Sequence, residues 1–146
     1  MSYCIEINPQ VSNEELNRLF AESWNRHTET DFAILLDRSF FYACAFLEKE
    51  LVGFAKVVSD SGSHGFLLDP TVHPNHRNKG LGSNLVKACV EASREGGIEW
   101  IHVDYEPHLE AFYASCGFCP TKAAIMNLKE TKPNKAVDTT AARAKR

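Results

Sequence analysis

Residues 72–85, VHPNHRNKGLGSNL, decide the fold because they join a strand-like segment to a helix-like one through the pattern R-x-x-G-x-G. The first N–H groups of a helix have no partner inside the helix, and the helix dipole favours negative charge beside them. Gly80 and Gly82 remove side chains that would keep a phosphate from those groups, while Arg77 and Lys79 supply positive charge. The segment therefore predicts a loop that binds two linked phosphates at a helix start.

Two common nucleotide-binding motifs do not fit this loop. A Walker A loop ends in G-K-[ST], which the segment GLGSNL lacks. A Rossmann fingerprint needs a third glycine three residues after the second, where this chain has Leu85. The loop also follows several extended segments rather than the first strand of the chain. The remaining interpretation is a pyrophosphate loop of another kind.

The segments on either side of the loop predict a mixed β-sheet with helices on its faces. Ser12 and Glu15 form an S-x-x-E capping box before a run with helical periodicity. Proline cannot donate to a sheet ladder, so Asp69-Pro70 predicts a bulge or a splay. In chain order the predicted elements are a strand 4–8, a helix 13–25, two strands within 39–60 joined at 48–50, an extended run 64–74, a helix from 81 ended by Gly96-Gly97, a buried parallel strand 98–105, a helix 107–118 between Pro107 and the cap Gly117, and a final strand 121–128.

The composition is typical of one soluble globular domain. The chain has 146 residues, of which 44% are hydrophobic and 24% charged. No apolar run approaches the ~20 residues that a membrane-spanning helix needs, and the first residues do not have the pattern of a secretory signal. Five cysteines without regular spacing indicate reduced thiols. We therefore expect a cytoplasmic protein that does not contact membranes.

The charge of the chain is unevenly distributed. Residues 129–146 carry six Lys or Arg and two Asp or Glu, so residues 1–128 carry a net charge of −7 within the total of −3. A nucleic-acid-binding domain needs a basic face, so we expect no nucleic-acid partner. We predict a domain at 1–128 and a basic polar tail at 129–146.

The chain resembles the GNAT superfamily of acetyl-CoA-dependent N-acetyltransferases. The family pattern is V-x-P at a strand end, then R/Q-x-x-G-x-G/A and a helix, which residues 72–74 and 77–82 match. The family continues with a strand and a helix containing F-Y-x-x-x-G-F, which Phe112, Tyr113, Gly117 and Phe118 match. The resemblance covers residues 3–128. It implies the GNAT fold, a central mixed sheet in which two parallel strands splay apart at the cofactor site.

The same resemblance implies acetyl-CoA as cosubstrate, no metal, and a homodimer. The coenzyme A pyrophosphate would contact backbone N–H groups of residues 77–82, and the pantetheine arm would lie between the splayed strands. The implied cofactor-binding residues are Thr71, Val72, Arg77, Asn78, Lys79, Gly80, Leu81, Gly82, Ser83 and Phe112.

The implied reaction is direct attack of a primary amine on the thioester. An alkylamine is about 99.9% protonated at pH 7, an obstacle of about 4 kcal/mol, so a general base is expected. Asp69, His73, His102 and Asp104 lie near the expected ends of the splayed strands, and we predict that the base is among them. Since His102 and Asp104 are two residues apart, they share a face of the predicted strand.

Tyr113 occupies the position at which the family has the tyrosine that protonates the departing thiolate. The resemblance therefore implies that Tyr113 is the general acid. The alternative is a core tyrosine, because an apolar stripe at helical spacing runs from Leu109 through Phe112 and Tyr113 to Cys116.

The acceptor side is less defined. We predict that Trp24, Tyr42 and Glu106 contact the acceptor, a small-molecule or peptide amine. Many family members have asparagine and alanine where this chain has Glu106 and Leu109, so the usual contact from that asparagine to pantetheine is in doubt. Glu106 faces a cationic acceptor in one interpretation and is a solvated helix-start residue in the other.

Two alternatives remain open. One is a protein that binds acyl-CoA without catalysis, which would keep the loop but lack an aligned acid and base. The other is a redox or zinc function of the C-x-x-C pair Cys116 and Cys119. This pair follows a predicted helix, where the dipole opposes a thiolate, whereas redox dithiols lie at helix starts.

Overall fold

The structure is a computed structural model that describes residues 2–130, so most of the predicted tail lies outside the described residues. It divides into two compact units, the first ending at Asp104 and the second beginning at Tyr105. The first unit contains β1 Tyr3–Ile7, α1 Asn13–Ser23, α2 Phe32–Arg38, β2 Phe41–Leu47, β3 Glu50–Val58, β4 His64–Val72, a 3₁₀ turn Pro74–His76, α3 Leu81–Glu95 and β5 Trp100–His102. The second contains a 3₁₀ turn Pro107–Leu109 and α4 Glu110–Ser115.

The sheet is five-stranded and mixed, in the order β1-β2-β3-β4-β5. The first four strands pair antiparallel with their neighbours, whereas β4 and β5 pair in parallel. Helices pack on both faces, since Gly53 of β3 faces Leu85 of α3 and the next residue, Phe54, packs against Phe20 of α1. The predicted fold class is confirmed. Within residues 2–130, no helix has both the length and the apolarity needed to cross a bilayer.

Helix α1 begins where the capping box predicts. The Ser12 hydroxyl accepts a hydrogen bond from the Glu15 N–H at 3.1 Å. The same hydroxyl donates to Glu15 Oε1, also at 3.1 Å. The buried face of α1 carries Leu16, Leu19 and Phe20, each at most 3% exposed. Burial of such side chains stabilises the fold by roughly 1.5–3 kcal/mol each, so α1 is fixed on the sheet chiefly by these three.

The bulge predicted at Asp69-Pro70 is present. Phe54 pairs with Thr71 and Lys56 with Leu68, so two residues of β4 stand opposite the single residue Ala55 of β3. Asp69 has a φ of 55°, in the left-handed region that non-glycine residues rarely adopt. The bulge turns the last part of β4 relative to its first part.

Helix α3 begins and ends at glycines, as predicted. Its buried face carries Leu81, Leu85 and Cys89, all at most 2% exposed. At its C-terminus the Gly97 N–H donates to the Arg94 carbonyl, and Gly97 has a φ of 89°. Glycine meets that requirement without steric cost.

Two predictions about elements were wrong, and one element was missed. Strand β5 has three residues rather than eight, and Trp100 is 59% exposed, because within the described residues β5 pairs only with β4. Residues 121–128 do not form a strand, and Met126 and Leu128 are 70% and 86% exposed. Helix α2 was not predicted, because its seven residues are too few for a clear periodicity.

Candidate functional site

The backbone between β4 and α3 leaves an open approach to the helix start. Asn78 and Gly80 have φ values of 61° and 78°, and these two left-handed residues turn the chain into α3. Gly80 has no side chain that could cap α3, and among the described residues a Cβ placed on Gly80 would meet no atom within 4 Å. The first N–H groups of α3 have no carbonyl partner within the helix, and the residue that precedes them leaves room for a ligand.

Arg77 is tied to two neighbouring elements. Its Nε donates to the Val72 carbonyl at 2.9 Å, and its Nη2 donates to the Ser23 carbonyl at 3.4 Å. These bonds join the end of α1 to the end of β4. Because they use only part of the five donors of the guanidinium, the predicted phosphate contact of Arg77 stays a prediction.

A hydrogen-bonded chain holds the bulge of β4. The Trp24 indole N–H donates to the Thr71 hydroxyl at 3.1 Å, and that hydroxyl donates to the Asp69 carbonyl at 2.9 Å. Lys56 Nζ lies 3.6 Å from Asp69 Oδ2. We call Trp24, Lys56, Asp69 and Thr71 the bulge network. Three of its members, Trp24, Asp69 and Thr71, were predicted as site residues, and the structure brings them together.

The pairing between β4 and β5 covers only the first part of β4. The last paired residues are Phe66 and His102, whereas β4 continues to Val72. Among the described residues, no strand pairs with the β5-side edge of β4 beyond that point. The open edge lies on the segment that ends at the α3 loop, so an extended ligand could hydrogen-bond to it.

The histidine candidates for the general base are engaged in other contacts. His73 Nδ1 accepts from the Asn75 N–H at 3.1 Å, so Nε2 carries the proton and donates to Glu22 Oε2 at 2.7 Å. His102 Nε2 lies 2.8 Å from His64 Nδ1, and the His102 ring stacks on Phe66 at 4.5 Å. Using either ring as a base would break one of these bonds.

Asp104 lies two residues past the end of β5, so the argument that it shares a strand face with His102 does not extend to it. Asp69 remains the candidate carboxylate that lies within a strand of the sheet, in the bulge of β4. Its side chain is 19% exposed and paired with Lys56.

Tyr113 forms the centre of the second unit. It is 4% exposed, stacks on Tyr105 at 4.9 Å, and meets Phe112 and Phe118 edge-on at 5.0 and 5.8 Å. Gly117, with a φ of 100°, follows α4 as predicted. These contacts fit a core tyrosine, and they also hold the ring in one orientation, as a general acid requires.

Glu106 precedes the 3₁₀ turn of the second unit, and its carboxylate lies 3.6 Å from His108 Nδ1. Its side chain is 24% exposed. Glu106 lies at the start of a helical segment, as one interpretation has it, but its side chain is largely buried rather than solvated. The acceptor contact stays a prediction.

Tyr42 and Trp24 have different surroundings. The Tyr42 hydroxyl donates to the Pro9 carbonyl at 2.6 Å, and burial, with a smaller contribution from Cys44, raises the pKa of Tyr42. Tyr42 lines an open cavity of about 450 Å³, whereas Trp24 belongs to the bulge network. The lining residues are Asn8, Ala33, Leu36, Asp37, Ser39, Phe40 and Tyr42.

The cysteines form no disulfide, and all five lie within residues 2–130. Burial raises the pKa of Cys44 and of Cys89 to about 12. Cys116 follows the last residue of α4, at the end of the helix rather than its start. In the described part of the chain, no three His, Cys, Asp or Glu side chains are grouped as a metal site would require.

Sequence reasoning missed Lys56, Glu22 and His64, which hold three of the predicted residues. Lys56 had a visible signal, since it is the charged residue within the otherwise apolar run LVGFAKVV. Glu22 and His64 had none, because each meets its partner across more than 35 residues of sequence.

Comparisons with known proteins agree with this geometry. The model of the acetyltransferase (GNAT) family matches residues 10–118. An N-acetyltransferase from Gracilaria tenuistipitata var. liui, ycf52, described as uncharacterized, is 29% identical over 78% of this chain. A probable glucosamine 6-phosphate N-acetyltransferase from Oryza sativa subsp. japonica is 35% identical over 51% of it. The chain spans less than two thirds of either relative, 65% and 42% of their lengths.

A solved structure has the same fold. It is a GNAT family acetyltransferase from Streptococcus pneumoniae TIGR4, which aligns with a TM-score of 0.70 over 88% of this chain and 100% of its own, at 22% identity. Since the family match covers well over half of the residues, including the α3 loop, the chain belongs to the GNAT family of acetyltransferases.

Proposed function

We propose that this protein transfers the acetyl group of acetyl-CoA to a primary amine. The observation that carries the proposal is the start of α3, where Gly80 supplies no capping side chain and leaves open space beside amides that have no carbonyl partner within the helix. A diphosphate suits such a site, because it accepts several N–H bonds and its negative charge is favoured by the helix dipole.

The cofactor would contact two adjoining segments of the first unit. Its diphosphate would lie against the amides of residues 77–82, with Lys79 supplying charge. Its pantetheine arm would extend along Thr71 and Val72, on the edge of β4 that β5 leaves unpaired. The predicted contacts from Arg77 and Phe112 belong to the same proposal.

In the reaction, the amine nitrogen attacks the thioester carbonyl, the C–N bond forms and the C–S bond breaks. The amine loses a proton to a base, and the thiolate of coenzyme A gains one. Among the predicted bases we propose Asp69, because its carboxylate stands in the bulge beside Thr71, along which the pantetheine arm would lie. We propose the Tyr113 phenol as the donor to the thiolate.

The name of one relative supports a small-molecule acceptor. One relative is named for a small sugar-phosphate amine. We propose a small-molecule or peptide amine for this chain, with Trp24, Tyr42 and Glu106 near it. We further propose that the protein acts in the cytosol as a homodimer, without nucleic acid, membrane or metal.

Thiol release from acetyl-CoA, measured across a panel of amines, tests the proposal. We expect release that depends on one class of amine, with acetylated amine formed in equal amount. Tight binding of coenzyme A without release for any amine would instead favour the non-catalytic acyl-CoA binder. Absence of coenzyme A binding would contradict both functions and leave the redox or zinc function of Cys116 and Cys119 as the alternative.

Tyr113→Phe tests the acid directly. The substitution keeps the ring that stacks on Tyr105 and removes the proton donor, so we expect turnover to fall by about 100-fold. The affinity for coenzyme A should stay within about twofold, since the phenol acts only on the leaving thiolate. Tyr105→Phe is the matched control, and full turnover in Tyr113→Phe would assign that ring to packing alone.

A further inference from the structure

Lys56 is a buried cation in the middle of the sheet. It lies on β3 between Ala55 and Val57, which are fully buried, and is itself 8% exposed. Among residues 2–130, no other Lys or Arg is buried. Removing an ammonium from water costs several kcal/mol unless a partner offsets the loss. The neighbours of Lys56 must therefore supply that partner.

The partner is the strained residue of the bulge. Lys56 pairs in register with Leu68, the residue before Asp69, and its Nζ lies 3.6 Å from the Asp69 carboxylate. Asp69 has a φ of 55°, and a left-handed conformation costs a non-glycine residue roughly 1–2 kcal/mol. Such a conformation persists only when the surrounding contacts hold it.

Contacts hold Asp69 on two sides. Thr71 donates to its carbonyl, and Trp24 donates to Thr71, which fixes the backbone from the side of α1. Lys56 fixes the carboxylate from β3. The residues that follow the bulge, Thr71 and Val72, are those whose backbone the pantetheine arm would contact.

We propose that Lys56 is a positioning residue for the end of β4, where the pantetheine arm would bind. Its ammonium holds the Asp69 carboxylate, and through it the bulge conformation that presents Thr71 and Val72 to the pantetheine arm. The inference rests on the proposed function, since it assumes that coenzyme A binds along β4. Because Lys56 is buried and paired with Asp69, its proposed effect on the cofactor runs through Asp69.

Calorimetric titration of the full chain with coenzyme A tests this role. Lys56→Met keeps an unbranched apolar stem and removes the charge, and we expect binding about tenfold weaker, as for other coupled pairs. Lys56→Arg keeps the charge and should retain more affinity than Lys56→Met. Lys49→Met, in the exposed turn before β3, is the matched control and should bind like the wild type.

A double-substitution cycle distinguishes positioning from a general loss of stability. If Lys56 acts through Asp69, then Asp69→Asn weakens coenzyme A binding, and adding Lys56→Met to it changes the affinity no further. The double variant buries no unpaired charge, so this comparison remains measurable if Lys56→Met alone does not fold. A further loss in the double variant would overturn the inference.

The two failures are separable. Wild-type protein that does not bind coenzyme A would refute the proposed function, and the inference with it. Wild-type binding together with undiminished binding by Lys56→Met would overturn the inference alone. A lower melting temperature in Lys56→Met with unchanged affinity would likewise overturn it, because that is what a merely structural ion pair predicts.

Discussion

The two ends of α3 both carry glycines, yet they differ in what surrounds them. At the C-terminal end, a Cβ on Gly96 would lie 2.7 Å from the Phe40 ring, and the amides of Gly96 and Gly97 donate to helix carbonyls. At the N-terminal end, a Cβ on Gly80 would meet nothing within 4 Å. A Cβ on Gly97 would likewise meet nothing within 4 Å, so open space by itself does not distinguish the two ends. The difference is that the amides at the C-terminal end donate to helix carbonyls, whereas the first amides of α3 have no carbonyl partner within the helix.

The two ends of α3 differ in this way only if the helix is held in place by its buried face. The reactivity of Cys89, which lies on that face, measures whether it is. Burial raises the pKa of Cys89 to about 12 from 9.0, so its thiolate fraction at pH 8 should be about a thousandfold lower than in the unfolded chain. We expect iodoacetamide to modify the exposed Cys4 and Cys119 and to spare Cys89 until the protein unfolds. Rapid modification of Cys89 in the native protein would show that α3 moves.

The same pKa shift has a consequence for stability. The pKa of the buried thiols Cys44 and Cys89 is higher in the folded than in the unfolded chain. Their contribution to the free energy of unfolding is therefore fully present below about pH 9 and is lost as the pH rises toward 12. Urea unfolding at pH 8 and pH 10.5 measures the decline. We expect the loss of unfolding free energy between these two pH values to be smaller in Cys89→Ala than in the wild type.

Gly80→Leu tests the open end. A side chain there would fill the space in front of the amides, and loss of about two charge-assisted hydrogen bonds should weaken coenzyme A binding by roughly 100-fold. The positive φ adds a stability cost of about 1–2 kcal/mol. Calorimetry on folded protein separates the two effects, and unchanged affinity would mean that the diphosphate binds elsewhere.

Gly96→Ala tests the closed end. Its Cβ would collide with the Phe40 ring, so we expect a loss of about 1 kcal/mol in the free energy of unfolding, with coenzyme A affinity unchanged. Phe40→Leu in the same chain should relieve the collision and recover part of the loss. A large change in affinity in Gly96→Ala would erase the distinction between the two ends.

The smallest effect is expected from the Arg94 to Glu91 pair in the last turn of α3. Its atoms lie 3.3 Å apart, but the side chains are 69% and 61% exposed, so solvent screens the attraction. Glu91→Gln should leave the melting temperature within about 1 °C. A larger drop would show that this end depends on surface charge more than on packing.

Local signals in the sequence predicted most of the first unit. The capping box at Ser12, the proline at the bulge and the glycines at both ends of α3 act through neighbouring residues, so they can be read from sequence. The length of β5 could not be predicted from sequence, because strand length depends on how many neighbouring strands a strand pairs with. Trp100 and Ile101 have strand propensity, yet β5 ends at His102.

The candidate site divides in the same way. The α3 loop follows from residue spacing alone, and Asp69 and Thr71 follow from the strand that leads to it. The ion pair of Lys56 with Asp69 depends on strand register, and the bond of His73 to Glu22 depends on the packing of α1. Contacts of this kind arise only when distant segments meet, so the sequence suggested the candidate bases without ranking them.

Titration of ¹⁵N-labelled protein with coenzyme A, with each backbone amide followed by NMR, tests the proposed diphosphate site most directly. We expect the largest shifts on the amides of residues 77–82, at the N-terminal end of α3, while those of Gly96 and Gly97 stay in place. Shifts centred on Gly96 and Gly97, or on neither end of the helix, would contradict the proposed site.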